Sequence, residues 1–204
     1  MMIKHLGANI REKTDGLKLT RNNYIKVSNE SSFVKGKIYS DSSINKHIAN
    51  CLFNYDLNME YFCSLSKQDF NNELMRFTNT NNLFEEVTDL TPLSMISGYY
   101  IMVLDEYNQA YIGRSRKIKE RILGHWRKQM KFDRLIFGKK EDSIISIDSF
   151  RAYDTTRIFV YQTDEIEEHE DDFINSFDKK FILNRTSGGT LSGLNEAILN
   201  RKTR

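Results

Sequence analysis

The residues best suited to chemistry lie in the second half of the chain, where two tyrosine-containing segments precede a basic and an acidic stretch. Tyr100 and Tyr111 are followed by Arg121 and by an acidic run that contains Glu170. Hydrolysis of a phosphate ester needs a base, cations that neutralise charge growing on oxygen, and a carboxylate that holds a metal ion. These residue types can fill each role. Tyrosines at strand positions are, however, also ordinary core residues.

Charge is segregated along the sequence even though the net charge is only +2. The stretch 114–140 carries eleven lysines or arginines against two acids, and the stretch 164–172 carries seven acids without a lysine or arginine. A phosphate-binding surface beside a metal-binding carboxylate would produce this pattern, and so would two solvated helix faces that neutralise each other. Charge alone favours the second explanation.

The C-terminal half predicts a hairpin, a helix, a third strand and a second helix. The runs 99–104 and 110–112 favour β-structure and flank turn-forming residues. The segment 117–130 is predicted as an amphipathic helix, because its apolar residues recur at helical spacing. The remaining predicted elements are a strand over 157–162 and a helix over 164–177 with acidic residues in its first turn.

The N-terminal half, residues 1–90, is predicted as an α+β module that serves DNA binding, sequence preference or dimerisation. Alternating residues predict strands over 24–27 and 33–39, and helices are predicted from Ser42 or Ser43 to residue 54 and over 67–77. A linker is placed over 78–97, which contains polar turn residues and the only proline, Pro92. The second module then spans residues 95–204, with a basic insertion over 132–155.

The composition is that of a globular protein, with 39% apolar and 12% aromatic residues. No segment approaches the ~20 apolar residues of a membrane span, and residues 1–15 lack an apolar signal region. We therefore expect a cytoplasmic protein without a membrane partner. Cys51 and Cys63 are too few for a disulfide framework and are interpreted as buried structural thiols. A zinc site that included His47 would lack a fourth ligand.

Five features, in order and at suitable spacing, resemble the GIY-YIG nuclease family. The paired motif is matched by Gly98-Tyr99-Tyr100 and, after ten intervening residues, Tyr111-Ile112-Gly113. The later landmarks are matched by Arg121, by His125 one turn later, by Glu170 before Asp171-Asp172-Phe173-Ile174, and by Asn184 after Leu183. The resemblance covers residues 98–189 and says nothing about residues 1–90.

The resemblance implies how the phosphodiester would be attacked. Tyr100 is the candidate base, and Tyr111 shares its hydrogen-bond network and contacts the phosphate. Arg121 offers its planar fork of donors to the non-bridging oxygens. His125 orients Tyr100 or the attacking water, although a lone histidine beside a tryptophan is more often a packed residue.

The resemblance also implies one metal ion per site. Glu170 is expected to bind Mg²⁺ or Mn²⁺, which prefer oxygen ligands and keep several waters. Asn184 is expected to fix the geometry on the metal side. The basic residues predicted to contact nucleic acid are Arg114, Arg116, Lys117, Lys119, Arg127, Lys128, Lys139 and Lys140.

Two departures from the family pattern are informative. Tyr99 replaces the usual aliphatic residue of the first motif, and the matching module follows other sequence, whereas homing and excision-repair members commonly carry it first. The second departure puts both of those assignments in doubt. A restriction, mobile-element or phage nuclease fits better.

The expected fold is α/β or α+β, with a small three-stranded antiparallel sheet flanked by helices and an N-terminal α+β module. The expected function is a metal-dependent endonuclease that acts on DNA, taken as double-stranded. One site cuts one strand, so a double-strand break would need a homodimer, two bound monomers or successive nicks. The alternatives are an inactive nucleic-acid-binding protein that keeps the scaffold, and a structural module in which the tyrosines belong to the core.

Overall fold

The computed structural model of the protein describes residues 1–27, 40–166 and 169–185, which form a mixed α+β fold with two antiparallel sheets. The strand predicted over 33–39 and the last residues of the resemblance, 186–189, lie outside these ranges. The strands are β1 (Met2–His5), β2 (Ala8–Arg11), β3 (Glu85–Val87), β4 (Gly98–Leu104), β5 (Gln109–Ser115) and β6 (Arg157–Gln162). The helices are α1 (Arg21–Tyr24), α2 (Asp41–Ser64), α3 (Lys67–Thr80), α4 (Ile118–Arg127) and α5 (Glu170–Ser176).

The larger sheet has four strands in the order β3-β6-β4-β5, whereas β1 and β2 form a separate hairpin. The three predicted strands of the C-terminal half are confirmed as β4, β5 and β6, and all neighbours are antiparallel. The predicted count of three is wrong, because β3 pairs with β6 along Glu85↔Val160 to Val87↔Ile158. That strand lies inside the segment predicted as a linker, which therefore is not irregular throughout.

Strand β4 is buried on both faces, which explains its uninterrupted apolar and aromatic sequence. Tyr99 and Ile101 pack on one side with Phe70 and Phe77 of α3. The alternate residues of β4 face a second cluster that contains Ile118, Ile122 and Trp126 of α4. Successive side chains of a strand point to opposite faces, so Tyr99 and Tyr100 serve different cores. Tyr100 thereby lies on the α4 side.

The strand predicted over 24–27 is wrong. Residues 21–24 form the short helix α1, because the Thr20 side chain accepts a hydrogen bond from the Asn23 backbone nitrogen and the Asn23 side chain accepts one in return. The Asn23 amide also donates to the carbonyls of Asp15 and Lys18. A reciprocal cap of this kind outweighs the weak β-preference of a short run.

The predicted helices exist, but their ends differ. Helix α2 is capped by Ser40 and continues ten residues beyond the predicted end at residue 54, whereas α3 matches its prediction closely. Helix α5 begins at Glu170 rather than at Asp164, and Asp164 instead accepts a hydrogen bond from the Ser97 hydroxyl at 2.6 Å. Helix α4 ends at Arg127, where Lys128 adopts an extended conformation.

One local expectation about the cysteine side chains also changes. Cys51 is buried as predicted, but Cys63 is exposed, because it lies on the outer face of α2.

No helix within the described ranges is long and apolar enough to cross a membrane.

The basic insertion 132–155 packs into the body of the protein as three short 3-10 helices, Phe132–Arg134, Ile147–Ser149 and Ala152–Asp154. Buried Arg151 donates to the Asp15 carboxylate at 2.7 Å, and Asp154 accepts from the Leu19 backbone at 2.9 Å and from the Tyr107 hydroxyl at 2.8 Å. The insertion is therefore tied to N-terminal residues. Each of the two hydrophobic clusters contains residues from both sides of residue 90.

Candidate active site

Two tyrosines on neighbouring strands lie close together at the candidate site. Tyr100 lies opposite Gly113 in the β4–β5 register, and Tyr111 lies opposite Met102. The two rings are 6.3 Å apart between centroids. Gly113 is needed at this position, because a Cβ atom there would lie 2.5 Å from the Tyr100 hydroxyl oxygen. The glycine of the second motif therefore makes room for the tyrosine of the first.

Helix α4 brings Arg121 and His125 to the same place, because residues four apart share one face of a helix. The His125 Nε2 atom lies 2.9 Å from the hydroxyl oxygen of Tyr100, and its ring packs edge-on against Tyr111. Arg121 is exposed, yet its guanidinium interacts with the hydroxyl groups of both tyrosines. The predicted grouping of these four side chains is therefore present in the fold.

The environment makes both phenols weak acids. Burial raises the pKa of Tyr100 well above its ordinary range, and Tyr111 raises it further, whereas Arg121 lowers it. Burial likewise raises the pKa of Tyr111 to about 12 against the opposing charge of Arg121. Burial lowers the pKa of His125, so its imidazole is neutral near pH 7. A phenolate does not form here unless a neighbour accepts the proton.

Glu170 approaches the tyrosines from the first turn of α5. Its carboxylate lies 3.0 Å from the Nε atom of Arg114 on β5, and its side chain is only 13% exposed. A second Arg114 nitrogen donates to the carbonyl of Ile166 at 2.7 Å, which holds the guanidinium in place. Burial raises the pKa of Glu170, and Arg114 opposes that rise. The carboxylate thus lies in a place where a cation stabilises its ionised form.

Asn184 acts on backbone rather than on the cavity contents. Its amide oxygen accepts from the Ile112 nitrogen at 3.1 Å, and its amide nitrogen donates to the Ile112 carbonyl at 2.8 Å. This paired contact fixes the segment after Leu183 beside the strand that carries Tyr111. Asn184 therefore holds two backbone segments together, and the role predicted for it on the metal side stays a prediction.

Three residues at the site were assigned no catalytic role from the sequence. Asp148, in the insertion, accepts from His125 Nδ1 at 2.7 Å and forms an ion pair with Lys128 at 2.5 Å. Arg185 donates to the carbonyls of Ile144, Arg134 and Leu135 and lines the site. Lys128 was predicted to contact nucleic acid. No periodic or spacing signal marks Asp148 or Arg185, because the first lies in a 3-10 helix of only three residues and the second lies outside the helices and strands.

These side chains surround an open cavity of about 380 Å³. Its walls include five of the six predicted catalytic residues, and the sixth, Tyr100, is fully buried behind His125. The cavity walls are formed by Tyr111, Arg114, Arg121, His125, Ser146, Ile147, Asp148, Glu170, Leu183, Asn184 and Arg185. Three arginines and two carboxylates therefore face one space.

The remaining predicted nucleic-acid contacts lie around α4 and in the insertion. Arg116, Lys117, Arg127 and Lys139 are exposed, and Lys119 is half-buried. Lys140 is half-buried and lies 4.9 Å from the centre of the Phe53 ring. These positions are compatible with phosphate contact at the surface, and the assignment stays a prediction.

The donor set at Glu170 fits a hard divalent ion as a site with one protein carboxylate. Carboxylate oxygen is the ligand that Mg²⁺ and Mn²⁺ prefer, and the cavity leaves room for water and a substrate phosphate to complete the shell. Within the described ranges no group of three or more His, Cys, Asp or Glu side chains could enclose an ion by itself. A bound ion would therefore depend on substrate oxygens.

Comparison of the chain with protein-family models, with curated proteins and with solved structures finds no match. The functional argument consequently depends on the geometry of the cavity and on the motifs that led to it.

Proposed function

We propose that the protein is a metal-dependent endonuclease that hydrolyses phosphodiester bonds of DNA at this cavity. The observation that supports the proposal is the convergence of Tyr111, Arg121, His125, Glu170 and Asn184 on one space, with Tyr100 directly behind them. These residues span more than eighty positions of the sequence and were selected by their resemblance to the motifs of the GIY-YIG family. A structural role for the tyrosines would not require them to meet a carboxylate and arginines in an open cavity.

The charges of the cavity favour a phosphate. Glu170 is paired with Arg114, and Asp148 is paired with Lys128. Within the described ranges Arg121 and Arg185 form no ion pair with a carboxylate, although Asp148 interacts electrostatically with both. The cavity walls therefore carry more cations than carboxylates. Burial lowers the pKa of Arg185 to about 10, and Tyr24 and Asp148 oppose that shift, so a further anion would stabilise the charged guanidinium. A phosphodiester would supply that anion.

Each side chain then has a defined task. Arg121 binds the non-bridging oxygens, where charge grows as the transition state forms. Tyr100 is fully buried and its hydroxyl contacts the exposed Arg121. The proposal therefore requires Arg121 to move onto the phosphate so that the attacking water reaches this hydroxyl. Glu170 would hold Mg²⁺ or Mn²⁺, which when bound supplies Lewis-acid stabilisation of the phosphate oxygens. Asn184 keeps the two sides of the cavity together.

The cavity accommodates one phosphodiester and cuts one strand. The exposed basic residues of α4 and the insertion would contact neighbouring phosphates, which contribute affinity without sequence selection. Double-strand cleavage would then need a homodimer or two successive nicks. A restriction, mobile-element or phage nuclease is the setting that we propose.

The direct test incubates the full chain with supercoiled plasmid in Mg²⁺, in Mn²⁺ and in EDTA, beside the variants Glu170→Gln and Asp172→Asn. The two substitutions remove one charge each from α5, but the Asp172 side chain is 78% exposed and points away from the cavity. We expect metal-dependent nicking that Asp172→Asn retains. Loss of the Glu170 carboxylate should slow cleavage by about 10²-fold or more, since a bound metal contributes several kcal/mol.

A second measurement separates cleavage from binding. Retention of labelled duplex DNA at low salt in EDTA should be the same for the wild-type protein and Glu170→Gln, because the basic surface is unchanged. Binding without cleavage in any metal would refute the nuclease and support the inactive nucleic-acid-binding alternative. Absence of both would support a structural module.

A further inference from the structure

His125 connects the Tyr100 phenol to a carboxylate that comes from the insertion. Its Nε2 atom is 2.9 Å from the Tyr100 hydroxyl oxygen, and its Nδ1 atom is 2.7 Å from an Asp148 oxygen. Both contacts are buried, and the His125 side chain is 1% exposed. Neither ring nitrogen is therefore available to water. The only proton-transfer partner of Nε2 among the described residues is Tyr100.

Asp148 determines which nitrogen of His125 carries the proton. Although burial alone would raise its pKa, hydrogen bonds from His125 and Lys128 lower the pKa of Asp148 to about 2. An ionised carboxylate only accepts hydrogen bonds, so Nδ1 must donate to it. In a neutral imidazole Nε2 is then the acceptor, and it receives the hydrogen bond of the Tyr100 hydroxyl.

This arrangement resolves a difficulty in using Tyr100 as a base. The phenol is buried and does not ionise by itself at neutral pH, yet the proposed hydrolysis needs it to take a proton from water. A neutral histidine in contact with its hydroxyl can take the phenolic proton in the same step. The resulting imidazolium would lie between Tyr100 and a carboxylate, which stabilises it.

We infer that Asp148 is a positioning residue that fixes His125 with its proton on Nδ1, so that His125 Nε2 accepts the Tyr100 proton during hydrolysis. The inference rests on the proposed function. As the water oxygen bonds to phosphorus, one water proton moves to the Tyr100 oxygen and the phenolic proton moves to His125 Nε2. The ester P–O bond breaks with its electron pair, and the leaving oxygen takes a proton from solvent. The imidazolium afterwards returns its Nε2 proton to Tyr100 as the phenol passes a proton to water in the cavity.

The charged groups around His125 give the relay a testable pH dependence. Asp148 favours the imidazolium, whereas Arg121 on α4 and Lys128 directly after that helix disfavour it. The phenols of Tyr100 and Tyr111 face His125 from the sheet. The rate at saturating DNA should rise with pH as His125 loses its proton. Removal of the Asp148 charge should move this acid limb to lower pH, and removal of the Lys128 charge should move it to higher pH.

The first experiment measures single-turnover cleavage against pH at saturating plasmid for the wild-type protein, Asp148→Asn, Lys128→Gln and Asp142→Asn. Asp142 is an exposed acid of the same insertion, so its variant is a matched control and should leave the profile unchanged. We expect Asp148→Asn to lower the plateau by about 10-fold to 10⁴-fold, the range for loss of a base or of its orienting carboxylate. A purely structural Asp148 would lower the rate without moving the acid limb, and that result would overturn the relay.

The second experiment does not depend on cleavage. Nitrogen-15 spectra of the histidine rings in the full chain, assigned with His125→Gln among the four histidines, report the tautomer directly. We expect a proton on Nδ1 of His125 in the wild-type protein and a lower His125 pKa in Asp148→Asn. A proton on Nε2 in a protein that cleaves DNA would refute the relay alone. A protein that never cleaves would refute the proposed function and the relay together, and if Asp148→Asn does not fold, the tautomer and Lys128→Gln still decide.

Discussion

Replacement of Gly113 by alanine adds a single methyl group and should disable the site by displacing the buried Tyr100 ring. The added Cβ would lie 2.5 Å from the hydroxyl oxygen and 2.6 Å from the Cζ atom of Tyr100, and 3.0 Å from a ring carbon of Tyr111. Ordinary carbon contacts need about 3.5 Å, so the Tyr100 ring must move by roughly 1 Å. Tyr100 is fully buried, and its neighbours leave little space for such a shift.

The size of the effect follows from that displacement. Overpacking of this kind costs about 1–3 kcal/mol of folding free energy. A shift of about 1 Å also breaks the contact of 2.9 Å between Tyr100 and His125, and misplacement on this scale lowers catalytic rates by about 10²-fold. Urea unfolding and plasmid cleavage of Gly113→Ala measure the two effects separately.

Gly124→Ala is the matched control, because a Cβ at Gly124 meets no atom within 4 Å. Gly124 lies inside α4, where alanine is favoured by up to about 1 kcal/mol, so this variant should be as stable as the wild-type protein or more stable and should keep its activity. If Gly113→Ala retained wild-type stability and cleavage, Gly113 would not be needed to make room for the Tyr100 ring. That result would refute this explanation of the paired motif.

Two further changes test the surroundings of the site. Asn184→Ala removes both contacts with the Ile112 backbone and should reduce the free energy of unfolding by about 1–3 kcal/mol, with a fall in cleavage; unchanged urea unfolding would contradict the positioning role. Asp148 has a folded-state pKa of about 2, below the ordinary value near 3.9, so the stability that it contributes is present above about pH 4 and is lost as pH falls towards 2. The stability difference between the wild-type protein and Asp148→Asn should therefore shrink by about 2 kcal/mol from pH 5 to pH 2, and a constant difference would contradict this linkage.

The sequence predicted the elements that have strong periodicity or a recognisable motif. Strands β4, β5 and β6 and helices α3 and α4 were predicted, because alternation, turn residues and helical spacing agree along those segments. Strand β3 was missed because three residues with two exposed glutamates carry no alternating pattern, and only pairing with β6 defines it. Helix α1 was missed because a cap at Thr20 outweighed the apparent strand.

The site shows the same division between local and long-range information. The six catalytic candidates were found because a motif fixes their order, and five of them line one cavity. Asp148 could not be found in this way, since its partner His125 is 23 positions earlier and the 3-10 helix that carries Asp148 is too short to show periodicity. Treating the insertion only as a basic surface missed its buried contribution. A search for acids among the apolar residues that end the insertion would have suggested Asp148.

The segregation of charge has a structural explanation that combines both interpretations of the sequence. Arg114, from the basic stretch, pairs with Glu170, from the acidic stretch, at the wall of the cavity. The two stretches thus neutralise each other in part, as solvated faces would. The pairing is incomplete, however, because Arg121 and Arg185 face the cavity without forming an ion pair with a carboxylate of the described residues. Fixed cations in a partly buried space stabilise charge that develops on a bound phosphate. The excess of cations over carboxylates, rather than the presence of either, is what favours phosphate chemistry at this site.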